Sequence, residues 1–120
     1  MPRPARRITV DLHGYDVLTA LDVALARVED AYRNGYDEIE LLHGAGDVHE
    51  PVEDGRGRIK WELRRLHDAG RFDAWADRRN SWPKATALLL ILRPNAAARS
   101  ERWGSDPHRK HGSGRRSGIE

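Results

Sequence analysis

Two predicted strands of this chain each end in a histidine followed by glycine. Strand 8–12 leads into His13-Gly14, and strand 38–42 leads into His43-Gly44-Ala45-Gly46. Because an amphipathic helix-like segment separates them, we expect parallel strands whose histidines leave the sheet at the same edge. Neighbouring strands lie about 4.8 Å apart, so two imidazoles and a nearby carboxylate could converge on one ligand there.

The chemistry that these residues favour is acid–base catalysis. Asp11 precedes His13 by two positions, so on an extended strand both project to one face, where the carboxylate could hold or polarise the imidazole. Phosphodiester cleavage needs a base, an acid and donors for the developing charge. Histidine side chains ordinarily titrate near neutral pH, so His13 and His43 could share the first two tasks without a metal. RNA would supply its 2′-hydroxyl as nucleophile, and which histidine is the base stays open.

Each of these three residues also has a purely structural interpretation. Asp11 could accept hydrogen bonds from loop amides after the first strand, alone or together with a catalytic role. His13 could be a strand-end histidine that hydrogen-bonds a nearby loop, and His43 could be structural as well. The pairing of the two histidines at one sheet edge favours the functional interpretation.

A phosphate-binding segment is predicted next to the second histidine. Gly44 and Gly46 suit a tight turn whose amides could hold an anion, although a plain connection is the alternative. Arg56 and Arg58 lie near the start of the second predicted helix, where phosphate is favoured. Arg64-Arg65, farther along that helix, are expected to form a solvated face.

A metal site is the competing interpretation of the polar loop before that helix. The spacing matches no strong metal signature, so no cofactor is predicted. A divalent metal stays an alternative, completed by Asp11 or His13 and held by His49, Glu50, Glu53 and Asp54.

Composition narrows the class of protein. The 120 residues suffice for one domain and a tail. The absence of cysteine excludes a disulfide framework, a thiolate zinc site and a cysteine nucleophile. No apolar run approaches the roughly 20 residues of a membrane span, and the N-terminus lacks the hydrophobic stretch of a secretory signal. We therefore expect a cytoplasmic protein without a membrane partner.

The net charge of +2 is unevenly distributed. Residues 1–94 carry 15 basic and 16 acidic side chains, a net of −1, whereas residues 95–120 carry 6 and 3, a net of +3. The folded part is therefore not a nucleic-acid clamp by bulk charge, and attraction to phosphate must come from local patches or the tail.

The element order is predicted as β-α-β-α-β-β, with strands 8–12, 38–42, 71–77 and 85–92. The first helix follows Asp16, which is expected to cap it, and stops at Asn34-Gly35. The second covers residues 59–69 and stops at Gly70. This order predicts an α/β two-layer sandwich, in which a mixed four-stranded sheet packs against two helices. Residues 1–5 form a lead-in, 6–94 the domain, and 95–120 a basic tail expected to be disordered.

On these residues the chain resembles a small MutS-related (Smr) domain over roughly residues 6–94. The resemblance rests on Asp11-Leu12-His13-Gly14 and His43-Gly44-Ala45-Gly46, each closing a strand and joined by one helix. The segments Gly57-Arg58-Ile59 and Lys84-Ala85-Thr86-Ala87-Leu88 fit the same pattern. One departure is an acidic insertion, residues 47–54, where family members pass almost directly into the next glycine and helix.

The resemblance implies a nucleic-acid-binding α/β sandwich, often with endonuclease activity on DNA or RNA. Some members act in recombination or mismatch processing, and others cleave messenger RNA on stalled ribosomes. By position, Asp11 and His13 match residues linked to cleavage, and the second motif matches a loop thought to contact the nucleic-acid backbone.

Three functions are therefore in competition. The leading prediction is a stand-alone Smr-like endonuclease that cleaves RNA or nicks DNA through Asp11, His13 and His43. The second is a non-catalytic nucleic-acid-binding module on ribosomes or in DNA repair or recombination, favoured by the acidic insertion and the low charge. The third is a metal-dependent small hydrolase built on the 49–54 loop. RNA or DNA preference, pathway and oligomeric state stay open.

Overall fold

One mixed sheet and two helices form the two layers of the molecule. The computed structural model describes residues 6–48 and 57–98. Its elements are β1 (Arg7–Asp11), α1 (Val17–Arg33), β2 (Glu38–Leu42), α2 (Arg58–Asp68), a short 3₁₀ turn (Arg78–Asn80), β3 (Trp82–Pro83) and β4 (Ala87–Ile91). The predicted α/β architecture with a four-stranded mixed sheet and two helices is confirmed.

The strand order β1-β2-β4-β3 brings both histidine motifs to one edge of the sheet. β1 and β2 are parallel, with Asp11 opposite Leu42, and β4 runs antiparallel to β2 and β3. The Leu12 amide extends the pairing by donating to the Leu42 carbonyl at 2.8 Å. The residues that follow β1 and β2 therefore emerge side by side.

Alternation along the strands puts one face of the sheet against the helices. Successive side chains of a strand point to opposite faces, and the inward set is apolar. On β2 these residues are Ile39 and Leu41, both fully buried. They belong to one core cluster with Val10, Leu12, Leu63, Leu88, Leu90 and the inner side of α1.

The first helix owes its position to a one-sided apolar stripe. Its buried residues recur at three- and four-residue spacing, the pattern of a helix with one face on a core: Ala20, Val23, Ala24, Arg27, Val28 and Ala31. The helix ends as predicted at Asn34, followed by Gly35 with a φ of 76°. Asp16 occupies the N-cap position, but its side chain makes no capping hydrogen bond, so that part of the prediction is wrong.

The predicted strand over residues 71–77 is wrong. This segment forms consecutive turns in which the amides of Trp75 and Ala76 both donate to the Phe72 carbonyl, at 3.0 and 2.9 Å. Phe72 and Ala76 are buried and four residues apart. This spacing occurs on one face of a helix and also on one face of a strand. Only one isolated bridge, from Ala76 to Leu92, joins this described segment to the sheet.

The third strand lies instead between the predicted strands 71–77 and 85–92. β3 comprises only Trp82 and Pro83, paired with Leu89 and Leu88 of β4. The element order β-α-β-α-β-β is thus kept, although its fifth member begins about ten residues later than expected.

At the C-terminal side the described chain continues past the predicted boundary at residue 94. The Asn95 side-chain amide donates to the carbonyl of Tyr32 at 2.9 Å, which ties this segment to the end of α1. The predicted lead-in 1–5 and residues 99–120 of the predicted tail lie outside the described residues. Neither described helix has the length and apolar character needed to cross a bilayer.

Candidate nucleic-acid site

A cavity of about 390 Å³ opens where β1 and β2 end and α2 begins. It is lined by both strand-end histidines, their following glycines and the first turn of α2: His13, Gly14, His43, Gly44, Ala45, Gly57, Arg58, Ile59 and Lys60. The structure thus brings together His13 and His43, which lie thirty positions apart in the sequence. Asp11 is not among these lining residues.

Asp11 shapes the turn that presents His13. Its carboxylate oxygen Oδ1 accepts a hydrogen bond of 2.9 Å from the His13 backbone amide, an arrangement typical of turns that begin with aspartate. This is the loop-amide role considered from the sequence. The His13 side chain is exposed, and Gly14 has a φ of 96°, which favours glycine after the histidine. A role of Asp11 toward the imidazole stays a prediction.

This turn makes Asp11 a site where two substitutions should differ. Asparagine keeps an oxygen that can accept from the His13 amide, whereas alanine leaves that amide without its partner. We expect Asp11→Ala to lower the free energy of unfolding by about 1 kcal/mol and Asp11→Asn to lower it by less. Urea denaturation of the two variants beside the parent measures this, and equal losses would contradict the loop-amide role.

His43 differs from His13 in being nearly enclosed, with 7% of its surface exposed. Its Nδ1 accepts a hydrogen bond of 3.1 Å from the Ala45 amide, so the neutral ring carries its proton on Nε2. Burial, followed by the positive charges of Lys60 and Arg64, lowers the pKa of His43 to about 4. The sequence-based expectation of a near-neutral pKa is therefore wrong for His43. At neutral pH this ring is an uncharged hydrogen-bond donor.

The glycine-rich turn after His43 is hydrogen-bonded to Thr86, the residue before β4. The amides of His43 and Gly44 both donate to the Thr86 carbonyl, at 2.9 and 3.1 Å. A β-carbon at Gly46 would lie 2.9 Å from the Thr86 methyl group, so Gly46 permits close packing against the start of β4. The Gly44 amide is thus already used, as in a tight connection between strands, whereas anion binding at Gly46 stays a prediction.

Hydrogen-bond donors for an anion are also expected at the beginning of α2. The first amide with a partner inside this helix is that of Trp61, which donates to the Gly57 carbonyl at 3.1 Å. The amides of the first turn have no acceptor within the helix itself, and Arg58, Ile59 and Lys60 line the cavity. The helix dipole adds positive potential at this end. An anion is the ligand that this wall of the cavity favours.

Arg58, which the sequence suggested as a phosphate-binding residue, lines the cavity, and phosphate binding by it stays a prediction. Its Nε donates to Glu62 at 3.3 Å, and Arg65 contacts the same carboxylate at 3.0 Å. The Glu62 carboxylate therefore contacts two cations of α2, Arg58 and Arg65. Arg56 lies outside the described residues, as does the 49–54 loop.

Two cations that sequence reasoning did not assign to the site stand beside His43. Lys60 is buried, with 3% of its surface exposed, and its ammonium donates to the carbonyls of Ala45 (3.2 Å) and Val48. Arg64, expected on a solvated face, donates instead to the Lys84 carbonyl at 3.4 Å and stacks on Trp61. The three-residue spacing of Lys60 from buried Leu63 is the signal that could have indicated its inward position.

The sequence also suggested a metal site as an alternative. Within residues 6–48 and 57–98, no three histidine or acidic side chains are grouped closely enough to hold a metal ion. The side chains that the sequence suggested for this role lie mainly in the 49–54 loop, outside that part of the chain. A metal there stays a prediction.

Two glycines at the cavity should respond differently to alanine. Both have positive φ, 76° at Gly44 and 89° at Gly57. A β-carbon at Gly44 would meet nothing within 4 Å, whereas at Gly57 it would lie 2.7 Å from a Val48 methyl carbon. We expect Gly44→Ala to cost about 1 kcal/mol from backbone strain and Gly57→Ala to cost more. Urea denaturation measures both, and an equal or reversed order would contradict the close contact with Val48.

Comparison of the chain with protein-family models, with curated proteins and with solved structures finds no match.

Proposed function

We propose that this chain is an Smr-like endonuclease that cleaves RNA or nicks DNA at the cavity between the strand ends and α2. The observation that carries the proposal is that an exposed histidine and a buried one line the same cavity as the first turn of a helix. Such a set offers a proton-transfer group, a fixed hydrogen-bond donor and the positive end of a helix dipole. A cytoplasmic location and nucleic acid as partner belong to the same proposal.

The two histidines then have different roles. His13 is exposed and reachable by a substrate hydroxyl, so proton transfer falls to it. His43 is neutral and already bound at Nδ1, which leaves its Nε2 proton as a donor to a phosphate oxygen. Lys60 and the first amides of α2 favour the negative charge that develops on the phosphate. This assignment replaces the symmetric two-histidine scheme that the sequence suggested.

On RNA these roles define the products. His13 accepts the proton of the 2′-hydroxyl, whose oxygen attacks the adjacent phosphorus while the 5′-oxygen leaves and takes a proton from solvent. The fragments would carry a 2′,3′-cyclic phosphate and a 5′-hydroxyl. A metal-activated water would instead leave different ends, so the product ends report on the mechanism.

The test is cleavage of end-labelled RNA and DNA by the purified protein, with and without a chelator. We expect RNA fragments with cyclic phosphate ends, formed equally in both conditions. Folded protein that cleaves no substrate would contradict the endonuclease, and chelator-sensitive 5′-phosphate ends would contradict the metal-free mechanism.

A second candidate is a non-catalytic nucleic-acid-binding module, on ribosomes or in DNA repair or recombination. The observation that favours it is the internal bonding of two site residues: Asp11 accepts from a turn amide, and His43 accepts from Ala45. Salt-sensitive binding that survives His13→Ala, with no cleavage by the parent protein, would support this module over the enzyme.

A further inference from the structure

Two buried side chains, Lys60 and His43, are both hydrogen-bonded to the backbone of Ala45 in the turn after β2. The Ala45 carbonyl accepts from Lys60 Nζ at 3.2 Å, and the Ala45 amide donates to His43 Nδ1 at 3.1 Å. Lys60 also donates to the Val48 carbonyl. Lys60 thereby links residues 45 and 48 to α2. The hydrogen bond to His43 is made by the first residue of this segment, whose carbonyl also accepts from the Val48 amide at 3.1 Å.

We propose that Lys60 is the positioning residue for His43, fixing its ring as the tautomer with the proton on Nε2. If the carbonyls of Ala45 and Val48 are held in place, the Ala45 amide stays directed at Nδ1, and only Nε2 can then carry the ring proton. That nitrogen is the one left for a ligand in the cavity. The ligand's identity as phosphate rests on the proposed function, whereas the tautomer does not.

Burying the Lys60 ammonium costs free energy, and its hydrogen bonds to two carbonyls offset part of this cost. The ammonium is buried, it stands near the positive end of the α2 dipole, and Arg64 lies close by. Burial, followed by the charge of Arg64, lowers the pKa of Lys60, and the Asp47 carboxylate acts in the opposite direction. The two carbonyls are the partners that make a cation tolerable there. An apolar side chain would fill the volume but would remove this donor from the Val48 carbonyl and leave the Ala45 carbonyl with the Val48 amide, 3.1 Å away.

The charges around His43 come from more than one element. Lys60 and Arg64 of α2 both lower its pKa, His13 shares the cavity from the end of β1, and Asp47 follows in the same turn. Lys84, before β4, directs its ammonium to Glu40 at 2.6 Å. Lys60 therefore acts on His43 in two separable ways, by charge and through the Ala45 hydrogen bond, whereas Arg64 acts by charge.

This difference provides a matched pair of variants, Lys60→Met and Arg64→Met, read by long-range ¹H–¹⁵N NMR of the histidine rings. In the parent we expect a single His43 tautomer with unprotonated Nδ1. In Arg64→Met the pKa of His43 should rise from about 4 toward its usual 6.5 while the tautomer is kept. In Lys60→Met the pKa should rise as well, and both tautomers should appear.

A third variant, Lys60→Gln, keeps a donor without the charge and guards against poor folding of the methionine variant. It should retain more of the Nε2–H tautomer than Lys60→Met and should raise the pKa similarly. Two results would overturn the proposal. One is a proton on Nδ1 of His43 in the parent, and the other is the same single tautomer as in the parent in both Lys60→Met and Lys60→Gln. No substrate is present in this experiment, so failure of the nuclease assay and failure of the positioning role are distinguishable.

Discussion

Replacing His13 with alanine is expected to lower the rate of RNA cleavage by about 10²–10⁴-fold, the range ordinarily lost with a general base. The folded state should be nearly unaffected, because the side chain is exposed and the turn is held by the backbone amide of residue 13. The rate is measured under single-turnover conditions with labelled RNA, and stability by urea denaturation. Loss of cleavage without loss of stability identifies a chemical role.

The chain offers a matched control in His67, which lies in the last turn of α2 and does not line the cavity. His67→Gln should cleave RNA at close to the parental rate. If His13→Ala retained full activity, or if His67→Gln lost as much as His13→Ala, proton transfer by His13 would be contradicted. Binding without cleavage in all three proteins would favour the non-catalytic module.

Acidification should destabilise the parent more than a His43→Gln variant, by about 2 kcal/mol between pH 7.5 and pH 4.5. Burial and the charges of Lys60 and Arg64 lower the pKa of His43 to about 4 in the folded state, against about 6.5 in the unfolded chain. Well above pH 6.5 the ring is unprotonated in both the folded and the unfolded state, so His43 contributes no pH dependence to the free energy of unfolding there. Between pH 6.5 and 4 the unfolded chain binds a proton that the folded protein excludes, and stability falls as pH falls.

Urea denaturation at both pH values, for the parent and for His43→Gln, isolates this effect. All other titrating groups are common to the two proteins, so their contributions cancel in the difference. Glutamine also offers an oxygen that can accept from the Ala45 amide. Parallel losses of stability on acidification would contradict the lowered pKa of His43.

A bound phosphate anion should oppose the charges of Lys60 and Arg64 and raise the pKa of His43. Added inorganic phosphate should therefore reduce the loss of stability on acidification.

The strand patterns were sufficient to predict where the two histidines emerge. Alternation around Ile39 and Leu41, with a helix between two strands, fixes parallel pairing and hence a shared edge. The buried state of His43 was not predictable in this way, because α2, which lines the same cavity, begins fifteen residues later in the chain. Lys60 in particular looks like an ordinary helix lysine until its neighbour in space is known.

Residues 71–77 could not be assigned correctly for a different reason. A spacing of four residues between Phe72 and Ala76 fits both a strand alternation and a helical turn, so periodicity alone does not decide. What decides is the Phe72 carbonyl, which accepts from both the Trp75 and Ala76 amides. That choice depends on how Phe72 and Ala76 pack in the core cluster, and no local pattern encodes it.

The two borders of the sheet are unequal in their capacity to recruit another strand. β3 is only two residues long, and Pro83 has no amide hydrogen to offer, a combination that disfavours lateral growth and aggregation on that side. β1 is five residues long and is paired only with β2 among the described strands. An extended peptide or a second copy that joins this sheet would therefore add beside β1, adjacent to the Asp11 turn.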